Sequence, residues 1–270
     1  MKETVIVASK MDVAGMNIAR SLIDLYGFDK SSKEFEGNPV FERESSLLAF
    51  SSKDIIHVEN LDAHFSPSLY IFASRHKSES GIPSLTAHFT GNFTHDAPFG
   101  GSPSEISYTY PSVLKEYIRR LSENSRKLGK YHVILEPTHH GPTSLRSPVI
   151  FVELGSTQQE WYDTEAAATV AKTIIETLAA QPNYPKIGIG FGGPHYSTKF
   201  TDYLLSSDVA LAAVAPKYVL EYVDHSIVSQ MIQKSVEKVT HGVVEWKGLG
   251  PSKDRILTLV KAAGLRTVRI

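Results

Sequence analysis

The chain has 270 residues, of which 41% are hydrophobic and 21% charged, with a formal net charge of −1. That size and apolar content suit a folded protein with a sizeable core, and no apolar run approaches the roughly 18–20 residues that span a bilayer. The lack of cysteine excludes disulfides, thiolate catalysis and zinc sites built on Cys, and leaves metal sites built on His and carboxylates open.

Met1-Lys2-Glu3-Thr4 leads straight into a β-rich run, Thr4–Ser9, without the long apolar core of a signal peptide, so a cytoplasmic protein is expected. Asp12 caps a predicted helix through about Tyr26, with Ala14, Ile18, Leu22 and Leu25 at helical spacing. Glu34–Phe41 and Ser46–Phe50 read as a weaker β region, and Ile55–Val58 and Leu69–Ala73 as strands. Residues 80–111, rich in Gly, Pro, Ser and Thr, read as one long loop. Pro111 starts a helix through about Leu128, ended by Gly129. Tyr131–Leu135 and Val149–Leu154 are predicted strands, Glu160–Ala180 the clearest helix, and Ile187–Ile189 another strand. Thr198–Leu205 reads as helix and Val209–Val214 as strand. The rest holds helices at about Asp224–Lys238 and Pro251–Ala263, a short segment at Val243–Trp246 and a last strand at Arg266–Ile270. This alternation predicts an α/β fold: one domain over residues 1–270, with a mixed, largely parallel sheet flanked by helices.

Three segments follow predicted strands and are rich in His, Gly and Pro: Ser74–Pro83, Glu136–Thr143 and Gly190–Lys199. In open α/β sheets ligands bind beyond the carboxyl ends of strands. The three segments therefore read as one active site, and an enzyme is the expected class. Glu136, His139 and His140 place one carboxylate and two imidazoles within five residues, on a loop stiffened by Pro137 and Pro142. Adjacent histidines usually point different ways, so one faces the site and the other supports it. His76 and Glu79 add a second His/acid pair, with Arg75 and Lys77 beside them for phosphate or carboxylate contact. His195 follows Gly192-Gly193-Pro194, where a substrate can approach the backbone closely, and the helix after it offers an anion-binding end.

His76, Glu79, His88, His139, His140 and His195 are the candidate catalytic residues. His76, Glu136, His139 and His195 are the candidate metal ligands. Two hydrolytic schemes stay open: a metal that activates water, or a His general base with Lys199, Asn92 or backbone amides steadying the oxyanion. No Gly-x-Ser-x-Gly elbow supports a serine nucleophile. Asn92, Thr143, Gly192, Gly193 and Lys199 are the remaining candidate substrate contacts near the site. Lys115, Arg119, Arg120, Arg126, Lys127 and Lys130 form a basic stretch. It is either a solvated helix face or, through Arg119 and Arg120 above all, a surface for nucleic-acid phosphates.

Ser-Arg-His-Lys-Ser-Glu-Ser-Gly at 74–81, Leu-Thr-Ala-His-Phe-Thr-Gly-Asn at 85–92, Glu-Pro-Thr-His-His-Gly-Pro-Thr at 136–143 and Gly-Phe-Gly-Gly-Pro-His-Tyr at 190–196 resemble the archaeal and plant type of D-aminoacyl-tRNA deacylase. The segment Asp-x-Ala-x-Met-Asn-Ile at 12–18 also fits, and the resemblance covers about residues 1–265. It implies an α/β fold related to peptidyl-tRNA hydrolases and phosphorylase-like folds, and a zinc cofactor. It also implies hydrolysis of the ester joining a D-amino acid to the 3′ end of tRNA. The expected partner is D-aminoacyl-tRNA, with neither DNA nor membrane, and the expected state a monomer or homodimer. The alternative is a metal-dependent hydrolase or phosphorylase acting on a small molecule.

Overall fold

In the computed structural model, which describes residues 3–270, the chain opens on strand β1 (Thr4–Ser9), helix α1 (Val13–Tyr26), and strands β2 (Asp29–Phe35), β3 (Asn38–Arg43), β4 (Ser46–Ser51) and β5 (Leu69–Lys77). There follow β6 (Ser84–Phe89), the two short strands β7 (Gly91–Asn92) and β8 (Glu105–Ile106), helix α2 (Pro111–Asn124), β9 (His132–Leu135) and β10 (Val149–Ser156). The last part holds α3 (Gln158–Trp161), α4 (Thr164–Ala180), β11 (Lys186–Phe191), α5 (Thr198–Ser206), β12 (Val209–Ala215), α6 (His225–Gln233), β13 (Val239–Val244), α7 (Lys253–Ala262) and β14 (Arg266–Arg269).

An eight-stranded sheet has the order β2-β3-β4-β1-β5-β10-β6-β9, and its middle is parallel from β4 through β10. A second, four-stranded sheet, β12-β11-β13-β14, is parallel throughout. The α/β expectation holds, and the second sheet is an addition to it. One apolar cluster joins Ile6, Ala73 and Val152 of the large sheet to Ile18 of α1, Leu114 of α2, Ile174 of α4 and Leu211 and Val214 of the small sheet. Among the described residues no helix is long and apolar enough to cross a membrane.

Local chemistry explains several element ends. The Asp12 carboxylate accepts from the Gly15 amide at 2.9 Å and starts α1, and Gly27, at φ 66°, ends it. Pro111 opens α2 at a position where its missing N–H is not needed. The predicted helix at Glu160–Ala180 is two helices, because Thr157 and Glu160 form a capping box on α3 and Asp163 then caps α4.

Several expectations are corrected. Ile55–His57 is a 3-10 turn rather than a strand. Helix α2 stops at Asn124 and gives way to a 3-10 turn over Ser125–Leu128, and α6 stops at Gln233. The segment near Val243 belongs to strand β13, which begins at Val239. The largest correction lies in residues 80–111, where β6 is a fully buried strand inserted beside β10. Its alternation of Leu85, Ala87 and Phe89 with Ser84, Thr86 and His88 is a period-two pattern, masked by the Gly, Pro and Ser around it.

Candidate active site

Alternation along three neighbouring strands builds the floor of the site. Ile71 and Ala73 of β5, Val152 and Leu154 of β10 and Leu85 and Ala87 of β6 enter the core beneath the helices. The intervening residues point to the other face. There Tyr70, Phe72 and Phe151 pack together with His88 of β6 opposite Phe151, and Ser74, His76 and Glu153 follow toward the carboxyl ends of β5 and β10. His76 thus stands on β5 itself rather than on the loop after it, because the strand runs on to Lys77. Gly155 lies opposite His76 in the register, where any Cβ would overlap the His76 carbonyl oxygen.

The loop after β9 carries Glu136, His139 and His140 over this floor. Thr138 fastens it to the second sheet: its amide donates to Val214 O at 2.9 Å, and its hydroxyl accepts from the Val214 amide at 3.1 Å. The loop after β11 brings His195 from the same sheet. Both glycines of that loop have positive φ, 104° at Gly192 and 79° at Gly193, so the turn suits residues without a Cβ. His140 also has a positive φ, 43°, uncommon for a residue with a side chain. One cavity of about 880 Å³ is lined by His76, Glu136, His139, His140, Glu153 and His195, with Asp12, Arg75, Lys77 and Asn92 among its other walls.

The charges are tightly interlocked. His76 Nδ1 lies 2.9 Å from Glu136 Oε1 and 3.2 Å from Glu153 Oε2, while its Nε2 lies 2.8 Å from the Tyr196 hydroxyl. Burial pushes the His76 pKa down, but the two carboxylates more than offset it and hold the value up at about 12. His76 is therefore an imidazolium clamped between two acids. Burial alone would raise Glu153, yet His76 and His88 hold it at about 2. Glu136, buried as well, is held well below the usual carboxylate range by His195, whose Nε2 is 2.9 Å away, and by His76.

His139 and His140 behave differently. Their Nδ1 atoms face the carbonyl oxygens of Pro137 at 2.8 Å and Gly141 at 2.7 Å. A carbonyl only accepts, so Nδ1 carries the proton and the Nε2 lone pair is left free. Burial and neighbouring imidazoles hold His139 well below its ordinary pKa and His140 at about 4, so both are neutral near neutrality.

These donors suit a metal ion. Three sets have ligand atoms within 4.8 Å of one another: His88, His139 and His140; Glu136, His139 and His195; and His76, Glu136 and Glu153. His88 Nε2 and both Glu136 oxygens are buried without a well-directed hydrogen-bond partner, the 2.9 Å approaches to Glu136 being close but misaligned. Imidazole and carboxylate are ligands that zinc accepts. Of the four expected ligands, Glu136, His139 and His195 share one set, while His76 falls in another and has both nitrogens engaged.

Other expected site residues land elsewhere. Glu79 is exposed in the turn after β5 and does not line the cavity. Asn92 lines it, but its amide donates to Gly100 O at 2.9 Å and Ser102 O at 3.2 Å, so it pins a loop and is not free to steady an oxyanion. Thr143 is buried and donates to Glu105 Oε2 at 2.7 Å. Arg75 lies 3.8 Å from Asp54, and Lys77 is exposed at the cavity edge. Lys199 pairs with Glu245 at 3.5 Å, and Gly193 lines a neighbouring groove.

The basic stretch is largely neutralised. Lys115 is buried and donates to the carbonyls of Leu204, Ser207 and Val209; Arg119 binds Glu116 and Glu123, each at 2.7 Å; Arg120 binds Glu116 at 2.6 Å. Asp12 and Tyr196 enter the site with little warning from sequence. Asp12 reads as a helix cap, yet its second oxygen also accepts from the Arg75 amide at 2.8 Å and so fixes the end of β5.

A family model described as D-aminoacyl-tRNA deacylase matches residues 63–268. A protein of Pyrococcus furiosus named D-aminoacyl-tRNA deacylase is 35% identical, the match covering 98% of this chain and 99% of that protein. Namesakes in Cenarchaeum symbiosum and Methanocaldococcus jannaschii are 37% and 32% identical, covering 97% and 98% of this chain and 98% of each relative. A crystal structure of a conserved protein of unknown function superposes with a TM-score of 0.91 at 26% identity, over 99% of this chain and 95% of the other. With the four His- and Gly-rich segments converging on one cavity, the chain belongs to the D-aminoacyl-tRNA deacylase family.

Proposed function

We propose that this protein hydrolyses the ester between a D-amino acid and the 3′ end of tRNA, as one domain acting in the cytoplasm where its substrate is found. The observation that carries the reading is the convergence of His76, His139, His140, His195, Glu136 and Glu153 in one cavity of a chain of this family. Zinc fits the donors Glu136, His139 and His195, and would supply Lewis acidity toward the ester carbonyl and water there. His140 stays neutral and orients the attacking water by accepting its hydrogen bond at Nε2. The His76 imidazolium does not react. It holds Glu136 and Glu153 at fixed separation and prevents two buried carboxylates from repelling each other. Glu153 lines the same cavity outside the proposed zinc donors and is the carboxylate available to the substrate ammonium group. An L side chain would then be directed into the wall rather than the opening, so that discrimination comes from a clash.

The test is deacylation of D-tyrosyl-tRNA beside L-tyrosyl-tRNA, before and after chelation and with zinc restored. Selective loss of the D ester, abolished by chelator and recovered with zinc, is the expected result. D-selective turnover indifferent to chelation would keep the reaction and remove the metal. Lack of D-selective turnover in every condition would end the proposal.

A further inference from the structure

Five large aromatic side chains among the described residues are well exposed: Phe99, Tyr108, Tyr162, Tyr218 and Tyr222. Three of them, Phe99 at 65%, Tyr218 at 51% and Tyr222 at 37%, line the cavity that holds the His/Glu cluster. Hydrogen bonds and buried neighbours fix the backbone that presents these rings. Phe99 is presented by a loop whose carbonyl at Phe99 accepts from the Gly141 amide at 3.1 Å, and whose next carbonyl, at Gly100, accepts from Asn92 at 2.9 Å. Tyr218 and Tyr222 stand on the 3-10 turn Lys217–Tyr222, where Val219 and Leu220 are buried and Arg255 donates to the carbonyls of Leu220 and Val223. The His95 ring meets Tyr222 edge-on at 5.8 Å and ties the two walls together. Tyr218 reaches inward, its hydroxyl 3.4 Å from His195 Nδ1, which leaves Phe99 and Tyr222 as the outer faces.

We infer that Phe99 and Tyr222 form a stacking platform for the unpaired terminal adenine of the tRNA 3′ end. This rests on the proposed reaction, since an ester on the terminal ribose that reaches the His/Glu cluster brings its own base to the walls or mouth of the same cavity. Every nucleobase offers a π-face, and preordered aromatic rings bind unpaired bases by stacking. The charge around the rings selects the part of the nucleotide. Asp54, Asp96 and Glu221 line this cavity and outnumber its cations, Lys77 and the Asp54-paired Arg75, which disfavours a phosphate and tolerates a neutral base. Lysines gather instead in the adjoining groove of about 670 Å³, where Lys217 and Lys247 stand beyond the shared wall at Tyr218 and Glu221.

The probe is an uncharged RNA minihelix ending in CCA with 2-aminopurine as its terminal base, whose fluorescence falls on stacking. The wild-type protein is expected to quench it. Phe99→Ala and Tyr222→Ala should each weaken that binding and raise KM for D-tyrosyl-tRNA by about tenfold or more, with kcat unchanged. Tyr222→Phe, which keeps the ring, should behave as wild type and reports on folding. Hydrolysis of D-tyrosine ethyl ester, which has no nucleoside, should be the same in all variants. Quenching unaltered in both alanine variants would overturn the inference. So would a loss shared by the ethyl ester, which would assign the rings to the amino-acid side chain. Quenching by a wild-type protein that leaves D-tyrosyl-tRNA intact would support the base platform and fail the deacylase reading alone.

Discussion

Removing the His76 side chain is expected to destabilise the fold far more than a polar-to-small change usually does. The imidazolium is 4% exposed and serves two carboxylates that are 0% and 6% exposed, at 2.9 and 3.2 Å. Breaking a buried ion pair from one side costs about 3–5 kcal/mol, because the abandoned charge cannot reach water. Here each acid keeps other partners, Glu136 with His195 at 2.9 Å and Glu153 with the Thr86 hydroxyl at 3.1 Å and His88 at 3.7 Å. The lower end, about 3 kcal/mol, is therefore expected for His76→Ala. For a protein near this size that lowers Tm by about 6–12 °C. The assay is urea and thermal unfolding of the chelated protein for His76→Ala, Glu153→Gln and the double variant. Glu153→Gln should destabilise the wild type yet recover at least about 1 kcal/mol in the His76→Ala background, since it removes a charge that has lost its nearest cationic partner. A His76→Ala protein within about 1 kcal/mol of wild type would refute the ion-pair account, as would simple additivity of the two changes.

The stability of the chelated protein should peak near pH 6.5. His140, held down at about 4, and His139, held lower than usual, contribute above the ordinary imidazole value of about 6.5 and lose that contribution as pH falls through their folded values. Glu153, at about 2, likewise contributes above about 4.3 and loses its contribution on further acidification. His76, at about 12, contributes fully below about 6.5 and progressively less as pH climbs toward its folded value. Urea midpoints rising steadily from pH 5 to 9 would contradict this. Gly155→Ala forces a Cβ onto the His76 carbonyl and must part β5 from β10, so it should cost at least about 1–3 kcal/mol and lower kcat more than tenfold, by unfolding and steady-state assays. Arg119→Ala with Arg120→Ala should leave the affinity for tRNA and its salt slope nearly unchanged, because Glu116, Glu123 and Glu176 already engage both guanidinium groups.

Much of the candidate site is legible in the sequence. His139, His140 and His195 stand in segments whose Gly and Pro content marks them as shaped loops, and the alternation of strands and helices signals the α/β class. These are local properties: turn chemistry, periodicity and capping act over a few residues and leave a direct trace in sequence. What the tertiary structure alone decided depends on partners far apart in the chain. Strand β6 looks like loop until β10 lies beside it, so His88 becomes a buried member of the site only through that pairing. His76 and Glu153, 77 residues apart, become an ion pair because β5 and β10 are neighbours in register. Arg119 and Arg120 look like a phosphate-binding face, yet Glu116 and Glu123 on the same helix and Glu176 on α4 take up their charge. Sequence specifies which groups are present and which local conformations they favour. Whether a charge is free, clamped or buried is set by what packs against it, and a pKa near 12 for one histidine and near 4 for another follows from that packing.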